Sequence, residues 1–193
     1  MYKILTNIEI GDHKYAIRDK GDYRIVLECF DCLEDVELTQ QERLISCLIV
    51  FFEDFNTLED VLNCPDLEEL VYEMFKFFNC GDDAESNKPQ KKLMDWKQDS
   101  QLICAAVNAV AHTEIRAAEY LHWWTFLGYY MSIGESLYST IITIRDKMVS
   151  GKKLEKHENE FKNKNPQYFT WNSKTIAQLE AEQWVAEVWN SGK

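Results

Sequence analysis

One segment of the chain, residues 119–133, is apolar or aromatic on every side when it is drawn as a helix. A helix that is apolar all round belongs in the middle of a fold. The segment is shorter than the ~18 apolar residues that a membrane-spanning helix needs, and no other stretch of the chain approaches that length. The sequence therefore predicts a mainly α fold, a helical bundle around this central aromatic helix.

The composition agrees with an ordered helical body. Only 7 Gly and 3 Pro interrupt 193 residues, and the aromatic share of 13% is far above that of a disordered chain. The length suits a single mainly helical domain, which we predict over residues 1–166. An exposed loop is expected at residues 81–92, and a C-terminal amphipathic helical extension at residues 167–193.

The charge of the chain restricts its partners. With 33 acidic and 21 basic residues the net charge is −12, which is opposite in sign to what binding of DNA or RNA requires. The N-terminus lacks the basic and then apolar pattern of a secretory signal. We therefore expect no nucleic-acid partner and no membrane partner, and a chain that stays in a cytoplasm with its cysteines reduced.

The N-terminal region carries a β pattern. Apolar and polar residues alternate from Ile8 to Ile10 and again from Tyr15 to Ile17, with Gly11 in the turn between them. This alternation predicts a small N-terminal β-hairpin within residues 4–18.

Helical periodicity follows the hairpin. Asp22 and Thr39 are expected to begin the first two helices, and Glu42 completes a capping box with Thr39. A third helix is expected after Asp66, with Gly81 at its C-terminal end.

Cys29 and Cys32 have the spacing of half a zinc site or of a redox pair. No second CxxC or HxxxH supplies further ligands, and structural zinc needs four. Both cysteines fall in the middle of an amphipathic helix, where a thiol packs as a small apolar group. We favour packing, and a metal- or redox-dependent regulator that uses these two cysteines stays open as an alternative.

No other motif indicates catalysis. His112 and Glu114 have the HxE spacing of zinc deaminases, but the PCxxC half of that site is absent from the sequence. Phosphate loops, nucleotide-binding glycine fingerprints, GxSxG and HExxH are absent as well. We therefore expect no enzyme, and we predict no catalytic residue, cofactor site or metal site.

The last predicted helix carries an apolar face that follows the break at Pro166. Large aromatic residues are enriched at interaction hot spots. Partner binding and internal packing both remain open for this face, whose members are Trp184, Val185, Val188 and Trp189.

The order of several short blocks is more informative than any single motif. The blocks are YAIRD at 15–19, DWKQD at 95–99, LHWWTFLGYY at 121–130, Ile144-Arg145, and GKKL at 151–154. In this order they resemble the bacteriophage Gp-fifteen family of long-tailed phages and prophages. The resemblance runs from Ile8 to Pro166, and its most specific part is the third block with the two that follow.

That resemblance implies a role in phage tail assembly. Members of the family are encoded between the major tail protein and the tape measure protein. The implied function is a non-enzymatic tail assembly chaperone that binds and solubilises the tape measure protein before tail tube assembly, in the cytoplasm of the infected or lysogenic host. The implied partners are the tape measure protein, other tail proteins and further copies of the chain; a structural component of the phage tail is the alternative.

Overall fold

The computed structural model describes residues 3–82 and 91–171. These residues confirm the predicted mainly α fold with a small N-terminal hairpin. Contacts between residues divide the described part of the chain into two compact units, one within residues 3–78 and the other within residues 79–171. The first unit contains β1 (Asn7–Ile10), β2 (His13–Ala16), α1 (Tyr23–Glu34), α2 (Gln40–Phe51), α3 (Leu58–Leu62) and α4 (Leu67–Phe78). The second contains α5 (Ser100–Ala111), α6 (Trp123–Met131), α7 (Leu137–Val149) and α8 (Lys156–Lys164).

The hairpin forms where the alternation predicted it. The two strands are antiparallel, with Ile8 opposite Tyr15, and a two-residue turn begins at Gly11. Gly11 has a φ of +56°, a conformation that a tight hairpin turn needs and that glycine adopts without strain. Ile8 is buried, so one face of the hairpin contributes to the core of the first unit.

The predicted helix starts in the first unit are confirmed by their caps. The Asp22 carboxylate accepts a hydrogen bond from the N–H of Arg24. Thr39 and Glu42 form the reciprocal capping box that the sequence predicted. These caps satisfy N–H groups that have no partner within the helix.

Aromatic side chains fill the core of the first unit. The ring of Phe51 on α2 lies 5.2 Å from that of Phe77 and 5.3 Å from that of Phe78, both on α4 and both edge-to-face. Ring pairs of this geometry favour packing beyond their buried area. α4 begins after Asp66 as predicted, but it ends at Phe78, and the left-handed residues Cys80 and Gly81 follow its end.

The aromatic helix supplies the core of the second unit. Trp123 and Phe126 on α6 are fully buried, and their rings stack at 5.5 Å. α6 begins four residues later than position 119 because His122 caps its N-terminus, accepting a hydrogen bond from the N–H of Trp124. None of the helices in the described ranges is long and apolar enough to cross a membrane.

The chain after Pro166 continues to pack on the second unit as far as Trp171. Pro166–Tyr168 forms a short 3₁₀ turn, and the Tyr168 carbonyl accepts two hydrogen bonds from Arg145 on α7. The rest of the predicted C-terminal extension, from residue 172, lies outside the described residues, as do residues 83–90 of the predicted loop. The domain limits drawn from the sequence stay predictions.

Candidate functional site

Arg145 on α7 is the centre of a buried polar network in the second unit. It is 4% exposed, and its partner Asp99, just before α5, is 2% exposed. The guanidinium makes two parallel bonds to the carboxylate, Nη1 to Oδ2 at 2.6 Å and Nη2 to Oδ1 at 2.9 Å. Two-point pairing of this kind is the strongest arrangement available to arginine and a carboxylate.

The remaining contacts of Arg145 reach two other parts of the chain. Nε and Nη2 donate to the carbonyl of Tyr168 at 2.9 and 2.6 Å, and Nη1 donates to the carbonyl of Leu93 at 3.1 Å. These bonds and the pair with Asp99 occupy all five N–H donors of the guanidinium. The ring of Trp171 covers the cation at 4.4 Å. Arg145 therefore connects α7 to the start of α5, to the segment before α5 that contains Leu93, and to the segment after α8 that contains Tyr168.

Asp95 organises the turn that leads into α5. Its Oδ1 accepts hydrogen bonds from the N–H groups of Gln98 and Lys97, and its Oδ2 accepts from the ammonium of Lys92 at 2.7 Å. Burial acts to raise the pKa of Asp95, but these hydrogen bonds outweigh it and hold the pKa below its ordinary value. The N–H of Asp95 donates to Asp99, which connects the turn to the arginine.

Trp96, in the same turn, joins this network to the aromatic helix. Its ring lies 5.9 Å from Trp123 and 5.1 Å from Tyr130. The hydroxyl of Tyr130 is 2.7 Å from that of Tyr138 on α7. The blocks DWKQD, LHWWTFLGYY and Ile144-Arg145 thus meet in one core, where their role is to position helices.

Arg18, in the block YAIRD, has a comparable role in the first unit. Its guanidinium donates to four backbone carbonyls at the end of α2 and just beyond it, at 2.8 to 3.3 Å. The acceptors are the carbonyls of Ile49, Val50, Phe52 and Phe55. The last carbonyls of a helix have no partner within it and favour a cation, so Arg18 caps α2 and fastens the hairpin to it.

A second attachment of the hairpin involves Asp66, the residue before α4. Its Oδ2 accepts a hydrogen bond from the hydroxyl of Tyr15 at 2.7 Å and contacts Nδ1 of His13. The bond from Tyr15 and then that from His13 hold the pKa of Asp66 below its usual range. Partial burial and the same carboxylate raise the pKa of Tyr15, so its hydroxyl stays a donor. The arrangement holds β2 against the start of α4.

Among the exposed large apolar side chains of the described residues, those on α3 and those at the junction of α6 and α7 stand out. On α3, Leu58 is 52% and Leu62 is 62% exposed, whereas Val61 between them is fully buried. Residues four apart share one face of a helix, so the two leucines form an outward apolar pair. In the second unit, Met131 at the end of α6 is 77% exposed, and Leu137 at the start of α7 is also exposed. Neither feature was predicted from the sequence.

A comparison with protein families identifies the chain. The family model described as Bacteriophage Gp15 protein matches residues 1–169. The chain belongs to this bacteriophage Gp15 family. No curated protein and no solved structure matches it significantly.

Cys29 and Cys32, the CxxC pair of the sequence, lie on α1. Cys29 is fully buried and Cys32 is half-buried. A hydrogen bond with Cys47 and burial raise the pKa of Cys29, and burial raises the pKa of Cys32. Thiols with raised pKa values are poor metal ligands and poor nucleophiles. Within residues 3–82 and 91–171, no cluster of three His, Cys, Asp or Glu side chains is placed to hold a metal ion.

His112 and Glu114, the HxE pair of the sequence, lie at and just beyond the end of α5. His112 ends α5 in a left-handed conformation. Glu114 forms an ion pair with Arg116, and the hydrogen bonds from Arg116 lower the pKa of the Glu114 carboxyl to about 2. The structure thus places each of them in a local structural role. The proposed partner-binding residues lie outside the described residues and stay predictions; they are Trp184, Val185, Val188 and Trp189.

Proposed function

We propose that this member of the Gp15 family is a non-enzymatic tail assembly chaperone that binds the tape measure protein and keeps it soluble before the tail tube assembles. The observation that carries the proposal is membership of the Gp15 family over residues 1–169. Family members are encoded beside the tape measure protein, which makes that protein the expected client. The proposed place of action is the cytoplasm of the bacterial host.

The exposed apolar pair on α3 supports this function. A tape measure protein is a long helical chain with apolar stripes, and such stripes bind apolar side chains presented at helical spacing. Leu58 and Leu62 present two such side chains on one face, and Glu59 beside them is charged and exposed. The net charge of −12 keeps a complex of several copies with one client dispersed in water.

The client must also be released when the tube forms. Release favours many weak contacts over one deep pocket, because weak contacts can be broken one at a time and each costs little free energy. Small exposed patches such as the α3 pair suit this requirement.

The test is co-expression with the tape measure protein encoded beside the chain. We expect the wild-type chain to raise the soluble fraction of the client and to elute with it as a complex. The double variant Leu58→Ser, Leu62→Ser should lower the amount of client recovered in the complex. Val36→Ser is the matched control, because Val36 is an exposed apolar residue of the same unit, between α1 and α2.

Two results would contradict the proposal. A client that stays equally insoluble with and without the wild-type chain, with no complex on elution, would remove the chaperone function. The chain at fixed stoichiometry in purified mature particles would instead indicate a structural component of the tail. Equal recovery of the client with both variants and wild type would leave the function intact but would exclude α3 as its binding face.

A further inference from the structure

The negative charge of the chain is concentrated in the first unit. Residues 3–78 contain 18 acidic and 7 basic residues, whereas residues 91–171 contain 9 acidic and 11 basic residues. Between positions 53 and 75, a segment that includes α3, there are eight acidic residues and no Lys, Arg or His. The chain on both sides of the exposed leucines of α3 therefore carries negative charge alone.

Half of these eight carboxylates bond to neighbouring parts of the fold. Asp54 and Asp60 accept hydrogen bonds from backbone N–H groups. Asp66 accepts one from the hairpin, and Glu73 pairs with Lys76. The other four are exposed glutamates whose side chains have no hydrogen bond or ion pair with any described residue; they are Glu53, Glu59, Glu68 and Glu69.

The helix dipole explains part of this pattern but does not neutralise it. Glu59, Glu68 and Glu69 lie in the first turns of α3 and α4, where a negative charge is favourable. Glu53 lies outside any helix. In all four cases the carboxylate stays exposed and without a cation, so its charge is available to a partner.

The exposed leucines and the glutamates impose two requirements on whatever covers α3. Leu58 and Leu62 share one face of the helix, and Glu59 lies beside them. A partner must present apolar side chains to the leucines. It must also not bring negative charge to the glutamates, because like charges that meet in an interface weaken it and opposite charges favour encounter and register.

These requirements argue against two occupants from the chain itself. The α3 face of a second copy has the same charge, so two such faces would repel each other. Residues 173–193 contain three acidic and two basic residues, which gives that segment no positive charge to offer. The charge of the face instead fits a basic partner.

We propose that α3 and its unpaired glutamates bind a helical segment of the tape measure client in which apolar side chains, three or four positions apart, are flanked by lysine or arginine. The inference rests on the proposed function, and it adds the chemistry of the client segment. Hydrophobic contact with the two leucines supplies attraction, and the charges select which stripe of the client is bound.

The first experiment measures binding of the wild-type chain to overlapping synthetic peptides that tile the tape measure protein. We expect the tightest peptides to combine apolar residues at helical spacing with a net positive charge. Their affinity should fall by about tenfold between about 0.1 M and about 1 M salt, because the screening length drops from about 10 Å to about 3 Å. Purely apolar binding would not weaken in this way.

A matched pair of charge reversals locates the effect. Glu53→Lys with Glu59→Lys should weaken the tightest basic peptide by about fivefold or more. Glu28→Lys with Glu37→Lys is the control, since both are exposed glutamates of the same unit without an ion pair, and the net charge changes equally. A peptide whose Lys and Arg are replaced by Glu should bind the first variant better than it binds wild type. Thermal melts check that both variants are folded.

The outcomes separate this inference from the chaperone function. Tightest peptides that are neutral or acidic, an affinity that does not fall with salt, or equal losses in the two double variants would overturn the inference and leave the function intact. A client that neither binds the chain nor is solubilised by it would remove the function, and the inference with it.

Discussion

Arg145 and Asp99 lie 46 positions apart in the sequence, yet they make a two-point ion pair at 2.6 and 2.9 Å in the core of the second unit. Both side chains are almost fully buried. A charge in such a place requires its partner, because neither group can return to water without the unit opening. The pair therefore makes the packing of α7 depend on the turn before α5.

Removal of the arginine alone should be costly. We expect Arg145→Met to lower the free energy of unfolding by about 3–5 kcal/mol, because Asp99 is left buried without its cation. Replacing both partners, Arg145→Met with Asp99→Leu, should recover a large part of that loss. Urea denaturation followed by tryptophan fluorescence measures both effects, and a single variant as stable as wild type would contradict the expectation.

Two adjacent tryptophans provide a comparison within one helix. Trp123 is fully buried and Trp124 is half-buried. Trp123→Ala should cost about 3–5 kcal/mol of unfolding free energy, since it opens a cavity beside Phe126. Trp124→Ala should cost less than about 2 kcal/mol, since its ring loses less contact area. Denaturant unfolding of the two variants measures both losses of free energy. A larger loss for Trp124→Ala than for Trp123→Ala would contradict the expectation.

Arg18 should be needed for the stability of the first unit. Arg18→Ala removes the donor to four carbonyls near the end of α2, and we expect a loss of about 1.5–3 kcal/mol, the range for hydrogen bonds to a charged group. Arg24→Ala is the control, because Arg24 is an arginine of the same unit that pairs locally with Asp22. Chemical denaturation should rank the two variants in this order. A larger loss of unfolding free energy for Arg24→Ala than for Arg18→Ala would contradict the stabilising role given to the bonds from Arg18.

The lowered pKa of Asp66 predicts a dependence of stability on pH. The folded state holds this carboxylate at a lower pKa than the unfolded chain, whose value is near 3.8. The stabilisation is therefore complete above that value and is lost as the pH falls through the folded value. Asp66→Asn should be less stable than wild type near neutral pH, and the difference should shrink on acidification.

The measurement is the free energy of unfolding of both chains over a pH series. Asp12→Asn, in the exposed turn of the same hairpin, controls for the loss of one negative charge. A difference between wild type and Asp66→Asn that stays constant from neutral to acid pH would contradict the assignment.

Two truncations separate stability from binding at the C-terminal end. A chain that ends at Pro166 loses the Tyr168 carbonyl and the Trp171 ring, both partners of Arg145, and we expect it to melt at a lower temperature. A chain that ends at Asn172 keeps these contacts and should melt close to wild type. Both lack the predicted partner-binding residues and should bind the client equally poorly if that prediction is right. Calorimetry and co-elution give the two readouts.

Local features were predictable because their causes are local. The capping box of Thr39 and Glu42 spans four residues, and the hairpin turn depends on Gly11 and its immediate neighbours. α3 was missed because five residues are too few to show a period, although Thr57 and Asp60 form a capping box around its start. That box was the available signal.

The polar networks were missed because their partners are distant in sequence. The acceptors of Arg18 lie 31 to 37 positions further along the chain, and no spacing rule connects them. The sequence does contain one signal for Arg145: it follows Ile141 by four residues and so shares the buried face of α7. A charged residue on an apolar stripe indicates a buried partner but does not identify it.

The acceptors of Arg18 also determine when the N-terminal region can become stable during synthesis. On the ribosome the hairpin is translated first, but the set of carbonyls that fastens it is complete only once Phe55 has been added. Before the end of α2 is made, none of these carbonyls is available to the guanidinium, and the strands are a lone two-stranded ribbon, which is marginal by itself. The nascent hairpin should therefore become resistant to protease only once the end of α2 has emerged from the exit tunnel.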